Sequence, residues 1–453
     1  MPKKKTALTI EERLQQALVP AEEQPYEVPE NWVWVRLESV ASWGSGGTPS
    51  RKHEEYYNGD ILWIKTGELN NGWIYDTEEK ITDEGLKKSS AKLFPPYSVL
   101  IAMYGATIGK VAILGVPATT NQACACAVCN QSLLYMYLFY YCISQKNVFI
   151  EKGKGGAQPN ISQIILKQHP IPLPPLSEQQ RIVERIEELF AKLDEAKERL
   201  QEVADSFAVR KAAILHKAFT GELTKQWRWE NGVSYESWEE KKGEDFFEYV
   251  TSGSRGWAKY YSDKGSIFIR MGNLNHGTIE LDFSDIQYVE LPDQVEGQRS
   301  KLQKNDILIS ITADVGMIAL VREDMDAYIN QHVALARPKN DLYAEFLAWY
   351  FVSDDGLQQM QNKQRGATKI GLGLQDIRSI ILKIPTLPEQ HEIVRLIDNL
   401  LARERAAQQA AEQALASIDL MKKSILARAF RGELGTNKAS EASALELLRQ
   451  VLS

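Results

Sequence analysis

The sequence predicts an α+β protein: two mixed α/β domains separated by two long helices, which form an antiparallel intramolecular coiled coil with pseudo-twofold character. Three observations lead there. The chain contains a duplication, in which Leu176-Ser177-Glu178-Gln179 returns as Leu387-Pro388-Glu389-Gln390, and Ile214-Leu215-His216-Lys217-Ala218-Phe219-Thr220-Gly221-Glu222-Leu223 returns as Ile425-Leu426-Ala427-Arg428-Ala429-Phe430-Arg431-Gly432-Glu433-Leu434. The offset is 211 residues at both ends, so two segments of equal length match without a gap. A repeat of this size decides the architecture before local signals do. Each repeated segment also carries a heptad stripe, and the blocks before the two helices show short β-branched and aromatic runs broken by Gly, Asn and Asp, the pattern of strands and turns.

The elements follow in order. Residues 1–28 read as an N-terminal extension: Met1-Pro2-Lys3-Lys4-Lys5 is basic but has no apolar stretch behind it, unlike a secretory signal. The first domain spans 29–176, the first long helix 177–226, the second domain 227–386, the second long helix 387–436 and a C-terminal tail helix 437–453. In the first helix Ile182, Ile186, Leu189, Leu193, Ala196, Leu200, Val203 and Phe207 alternate four and three apart, a seam that keeps one stripe facing a partner helix. In the second, Ile393, Ile397, Leu400, Ala407, Ala411, Ala414, Ile418, Met421 and Ile425 continue it, interrupted once by Glu404. Leucines against alanines would interdigitate if the two helices pair. Ser177 suits an N-cap, and Gly221 and Gly432 suit C-terminal stops. A continuous helix over 178–219 would span roughly 60 Å. The domains echo each other faintly. Gly67-Glu68-Leu69-Asn70-Asn71-Gly72 resembles Gly272-Asn273-Leu274-Asn275-His276-Gly277, Val99-Leu100-Ile101-Ala102 resembles Ile307-Leu308-Ile309-Ser310, and Asn121-Gln122 resembles Asn330-Gln331. Residues 135–150 and 344–360 read as helices. Like helices bearing unlike domains make a pseudo-dimer suited to two unlike half-sites, and two equivalent helix surfaces could dock two copies of one partner.

Composition sets bounds. With 453 residues, 44% hydrophobic and 25% charged, the chain is ordinary globular material for two to four domains. No run of about eighteen apolar residues exists, so no membrane span is expected. The four cysteines all lie between Cys124 and Cys142, too local for a disulfide framework, and with no export signal a reducing cytoplasmic location is expected. Net charge is −7. Residues 30–176 carry thirteen Lys and Arg against twelve Asp and Glu, and residues 237–386 carry seventeen against twenty-two. Phosphate contacts need cations, so DNA binding would require clustering on one face or help from a partner.

At this point the sequence resembles the specificity subunits of type I restriction–modification systems. Ile171-Pro172-Leu173-Pro174-Pro175-Leu176-Ser177-Glu178-Gln179 and Ile384-Pro385-Thr386-Leu387-Pro388-Glu389-Gln390 open the helices; Ala218-Phe219-Thr220-Gly221-Glu222-Leu223-Thr224 and Ala429-Phe430-Arg431-Gly432-Glu433-Leu434 end them. Pro29-Glu30-Asn31-Trp32 resembles the usual approach to the first recognition domain, and Gly155-Gly156-Ala157-Gln158-Pro159-Asn160-Ile161 the loop before the proline segment. The motifs cover nearly the whole chain in the family's order. The second proline motif departs from the first, with Thr386 at the place of Pro175. The resemblance implies two target recognition domains, each reading half of a split double-stranded DNA target, and paired helices that act as spacer and as dock for two methyltransferase subunits, with optional motor-nuclease subunits. It implies a non-catalytic chain with no cofactor of its own; S-adenosylmethionine, ATP and magnesium would belong to the partners.

Motifs for chemistry fail on inspection. Phe94-Pro95-Pro96-Tyr97 lacks the polar residue an amino-methyltransferase needs before its prolines, and reads as a turn into a strand at 98–103. Gly105-Ala106-Thr107-Ile108-Gly109-Lys110 is one residue short of a phosphate loop and lacks the following Ser or Thr. Cys124-Ala125-Cys126-Ala127-Val128-Cys129 would place Cys124 and Cys126 on one face of a strand and Cys129 on the other, which suits small core filler better than a metal site. His53-Glu54-Glu55-Tyr56-Tyr57 lacks the second histidine of a zinc-protease helix.

Base edges are read by Arg, Lys, Asn, Gln, Ser and Thr, with glycine permitting close approach. In the first domain the candidates are Ser45, Thr48, Arg51 and Lys52 of the loop 45–52, Tyr104 and Thr107 of a turn, and Lys154, Gln158 and Asn160. In the second they are Ser254, Arg255, Lys259 and Tyr260 of the loop 252–261, Thr312 and Asp314 of a turn, and Lys363, Arg365 and Lys369. The loop 252–261 mixes cations, glycines and aromatics within ten residues. Two other readings stay open: a coiled-coil interaction scaffold without DNA specificity, and a methyltransferase or nuclease with unfamiliar motifs.

Overall fold

The computed structural model describes residues 9–153, 160–292, 298–340, 342–365 and 371–453. The chain divides into two compact units, Met1–Arg199 with Ala414–Ser453, and Leu200–Gln413. Each unit therefore holds one mixed α/β domain, part of one long helix and part of the other.

In the first unit the main sheet runs in the order Ala41–Ser45, Cys124–Cys129, Val99–Ala102, Val111–Leu114, Trp73–Ile74. Alternate strand residues point to opposite faces. Val99, Ile101, Val111 and Ile113 accordingly join one buried cluster, while Leu100, Ala102, Ala112 and Leu114 join another with Ile64 and Leu69. The cysteines obey the same alternation, with Cys124 and Cys126 on the second face and Cys129 against the first. The helix Tyr135–Ser144 covers the first face. It is tied down at two points, where the Tyr137 and Tyr141 hydroxyls donate to the carbonyls of Pro172 (2.8 Å) and Pro170 (2.6 Å). A three-stranded sheet packs beside the main one, in the order Lys80–Ile81, Tyr57–Ile64, Thr119–Thr120. The strands Val33–Arg36 and Pro170–Leu173 pair antiparallel where the chain enters and leaves the domain. The end helices Ile10–Ala17 and Ala444–Leu452 pack on each other in this unit, with Arg13 donating to the Leu452 carbonyl at 3.1 Å.

The second unit repeats the plan. Its main sheet runs Phe247–Ser252, Val333–Pro338, Ile307–Ser310, Ile318–Leu320, with Tyr261–Ser262, Tyr288–Val289, Ser266–Ile269, Ala327–Ile329 alongside. Glu239–Lys242 pairs antiparallel with Ile381–Ile384. The covering helix is Ala344–Val352, and its Tyr350 hydroxyl donates to the Ile381 carbonyl at 2.9 Å.

The duplicated motifs explain how each domain grips the helices. Glu178 and Glu389 are fully buried at the helix starts. In the first unit Glu178 accepts from Arg181 (2.7 Å) and from Thr436 (2.7 Å), which follows the end of the second helix. In the second unit Glu389 accepts from Thr224 (2.7 Å), which follows the end of the first helix, and from Arg228 (2.6 Å) and the Trp238 indole (3.0 Å). The start of one helix is thus latched to the tail of the other, twice. The neighbouring glutamines fasten the covering helices: the Gln179 amide oxygen accepts from the Leu134 N–H (2.9 Å), and that of Gln390 from the Tyr343 N–H (3.0 Å). A buried charge needs this full set of partners to be tolerated.

The long helices pair antiparallel. Asp194 meets Lys422 at 2.5 Å within the first unit and Arg210 meets Glu404 at 2.5 Å within the second, so numbers rise along one helix as they fall along the other. Glu404, the interruption in the heptad, is therefore a half-buried ion pair on the seam. Ile182, Ile186, Ile393, Ile397, Ala411 and Ile418 are buried as expected. Other seam positions fail: Ala196 and Ala407 are exposed, Val203 is 40% and Met421 48% exposed, since a strict seven-residue stripe drifts around a helix of 3.6 residues per turn. Lys422, one residue on, reaches over the Phe190 ring instead. The first helix is also not continuous: it runs Leu176–Asp205 and Phe207–Phe219 with a turn at Ser206, whereas the second runs unbroken over Leu387–Ala429. The Ser206 hydroxyl donates back to the Val203 carbonyl at 3.1 Å, and Arg210 donates to that same carbonyl at 3.2 Å, a competition that opens a helical turn. Among the described residues no helix is long and apolar enough to cross a membrane.

Candidate nucleic-acid interface

The candidate loops gather at one end of the main sheet in each unit, and main-chain hydrogen bonds set them side by side. In the first unit the strand Ala41–Ser45 ends in the glycine loop, whose Gly47 N–H donates to the Thr120 carbonyl (2.9 Å). Next comes the turn at Asn121, and on its far side the Met103 N–H donates to the Ala123 carbonyl (2.8 Å). Met103 leads into the turn holding Tyr104 and Thr107, and its carbonyl accepts from Ile161 (2.9 Å). Asn160 pairs with Tyr104 in an antiparallel bridge. The second unit repeats the contacts of the second turn, Ile311 to His332 (2.9 Å), Leu372 to Ile311 (2.9 Å) and the Thr312–Gly371 bridge, and moves the first by one residue, with Gly253 donating to the Asn330 carbonyl (3.2 Å). Glycine is required where the first loop crosses. A Cβ on Gly46 would lie 1.8 Å from the Thr120 carbonyl oxygen, and one on Gly253 1.9 Å from that of Ile329.

The loops differ in what they present. In the first unit Arg51 is spoken for: it pairs with Glu79 at 2.6 Å and lies over the Tyr57 ring at 4.3 Å. Thr48 donates to the Gln122 amide oxygen. Ser45 is half-buried and Lys52 exposed. Tyr104 is 45% exposed, and the Thr107 hydroxyl folds back on its carbonyl at 2.8 Å. Lys154 and Gln158 lie outside the described residues, as does Lys369 in the second unit. In that unit Ser254, Arg255, Lys259 and Tyr260 line a polar groove of about 620 Å³, together with Arg299 and Gln331. Among the described residues none of its three cations pairs with a carboxylate, and Lys259 lies over the Tyr260 ring at 4.8 Å. Asp314 is held by His276 at 2.8 Å, Arg365 by Asp376 at 3.1 Å, and Lys363 is half-buried beside it. Sequence reading passed over Arg299, Gln122 and Gln331 as candidates. The echo of Asn121-Gln122 in Asn330-Gln331 was the signal for the glutamines; nothing local marks Arg299.

Nothing resembling a metal cluster of His, Cys, Asp and Glu occurs among the described residues. Burial pushes the Cys126 and Cys129 thiols up to about 12, which keeps them protonated and unreactive at neutral pH.

The type I restriction modification DNA specificity domain matches the chain twice, over residues 29–205 and 235–414. The specificity subunit of the type I restriction enzyme EcoBI of Escherichia coli is 26% identical over 436 residues, covering 90% of this chain and 87% of that protein. The EcoKI specificity subunit, also from Escherichia coli, is 26% identical over 428 residues, covering 90% of each. In fold, the HsdS subunit of Thermoanaerobacter tengcongensis superposes with a TM-score of 0.65 at 20% identity, covering 91% of this chain and all of that one. The chain belongs to the type I restriction–modification DNA specificity family and is a specificity subunit that recognises DNA sequence through two copies of the family's domain.

Proposed function

We propose that each unit reads one half of a bipartite, asymmetric double-stranded target through the three loops at the end of its main sheet. The observation that carries this is one framework bearing two sets of side chains. Corresponding hydrogen bonds set the loops side by side in both units, yet the first presents Thr48, Lys52, Tyr104 and Asn160 and the second Arg255, Lys259 and Thr312. A shared framework gives a shared way of docking, and unlike side chains give unlike sequences. In this reading the chain carries out no bond chemistry. Methyltransferase subunits, joined where present by motor-nuclease subunits, bring S-adenosylmethionine, ATP and magnesium, and the chain directs them to the target. The two-fold recurrence of the helix supports two methyltransferases per chain.

The test is Arg255→Ala and Lys259→Ala in the complex with its methyltransferase, with binding measured against salt on the mapped target. Loss of a phosphate contact lowers the salt slope by about one unit, and loss of a base contact costs roughly 1–3 kcal/mol at one target position. Unchanged binding and methylation in both variants would remove this loop from the interface. A wild-type complex that methylates no split site would remove the reading itself.

A further inference from the structure

The centre of the loop cluster is the part that the two units have in common. In both, an asparagine folds the turn by accepting from the N–H two residues on: Asn121 from Ala123 (3.1 Å) and Asn330 from His332 (3.0 Å). Both asparagines receive their place from the neighbouring sheet, with Asn121 donating to Ile64 (2.9 Å) and Asn330 to Ile269 (3.0 Å). The turn then offers the next side chain, a glutamine in each case, between the glycine loop on one side and the second turn on the other. Gln122 is exposed and Gln331 half-buried, lining the cationic groove. Most side chains of the flanking loops differ between the units; the glutamine and the asparagine turn that carries it recur.

We infer that Gln122 and Gln331 read the same base, adenine, once in each half of the target, while the flanking loops read what differs. This rests on the two-half-site reading above. The chemistry of the carboxamide supports it. Each amide is steadied at one atom, Gln122 through its oxygen by Thr48 and Gln331 through its nitrogen by His332 at 3.0 Å. An amide has two N–H donors and two acceptor lone pairs, so each still has at least one donor and one acceptor to spare. That pair of groups matches the N7 acceptor and N6 amino donor on the major-groove edge of adenine. Identical readers on otherwise unlike surfaces require the two half-sites to share a base at the equivalent position.

The experiment maps modified sites genome-wide in cells carrying the methyltransferase and either the wild-type chain or Gln331→Ala, Gln122→Ala or Gln331→Glu. The wild-type map must show a split target with an A·T pair in each half. Gln331→Ala is expected to relax one such position in one half by about 10- to 100-fold and to leave the other half intact, with Gln122→Ala doing the reverse. Gln331→Glu, of the same shape, is expected to turn preference at that position from adenine toward cytosine, whose amino group a carboxylate accepts. A split wild-type target lacking a common A·T pair would overturn the inference while leaving the two-half-site reading in place. Uniform weakening at every sequence would overturn it too, making the glutamines backbone contacts. Melting of each purified complex identifies loss of fold, and in that event Gln331→Glu decides the matter.

Discussion

Lys211 shows how one residue can differ in consequence between two copies of the same helix. Its repeat partner, Lys422, pairs with Asp194 at 2.5 Å. At the position equivalent to Asp194 the other copy carries Arg405, so Lys211 has a like charge for a neighbour and lies over the Trp349 ring at 5.8 Å. Burial, with Arg405 adding to it, pushes the Lys211 amine down to about 8. The sign follows from linkage. The folded amine gives up its proton near pH 8 and the unfolded one near 10.5, so between those values the unfolded chain binds more protons and the lysine's penalty is relieved as pH rises. Below pH 8 the penalty is present in full. Lys211→Met should therefore raise the melting temperature at pH 7, and the gain should shrink as pH climbs from 8 to 10. A gain that stays constant over that range would mean the amine is solvated. None of this was legible in the sequence, where Lys211 reads as one more charge beside a heptad stripe. Which charge faces it depends on the antiparallel register, and register is a property of the pair.

The helices were legible because their signals are local: a cap, a period and a stop. Their duplication also announced the latches, although not that each joins the start of one helix to the tail of the other. The turn at Ser206 and the Arg210–Glu404 pair were hidden, since a single serine or glutamate within a helical stripe carries no such meaning alone. The candidate loops show the same division. Glycine and polar residues mark all three candidates in each domain, but their adjacency comes from strands distant in sequence, and so the glutamine turn between them was not among the candidates. At the element scale the repeat makes its own prediction. Val209 and Leu420 occupy equivalent positions on the two helices, and both are bare, at 71% and 69% exposure. A single exposed apolar side chain is ordinary, but a pair matched by the repeat is where the two docks proposed above can be tested. With two methyltransferase subunits docked as proposed, Val209→Asp and Leu420→Asp should each lower the content of the purified complex toward one, and the double variant toward none. Native mass measurement reads this directly. Full occupancy in the double variant would place the docks elsewhere.

At the scale of the molecule, the chain passes between its units only at Arg199–Leu200 and Gln413–Ala414, both inside the long helices. These helices therefore carry the connection between two reading surfaces. Net charge of −7, with an acidic surplus in the second domain, leaves little long-range attraction for DNA, so affinity must come from contacts made in register and from partner subunits. Register makes the spacing of the loops a property of the target. Inserting four residues after Leu223, by duplicating 220–223, lengthens the connection between the first helix and the latch at Thr224. Residues 220–223 form the turn after Phe219, so the spacer idea requires the insert to extend the helix Phe207–Phe219, in which case four residues add roughly 6 Å. A base pair adds about 3.4 Å along the axis and turns the groove by about a tenth of a turn, since a turn holds about 10–10.5 pairs. The gap between half-sites should accordingly grow by one or two base pairs, while the bases read in each half stay the same because no loop residue has changed. The competing outcome is that the insert bulges at Gly221, whose φ of +78° already marks a turn, and leaves the spacing as it was. Mapping methylated sites for the insertion variant separates the two. An unaltered gap with full activity would end the idea of a helical spacer, and altered bases within a half-site would mean that the helix end itself takes part in reading.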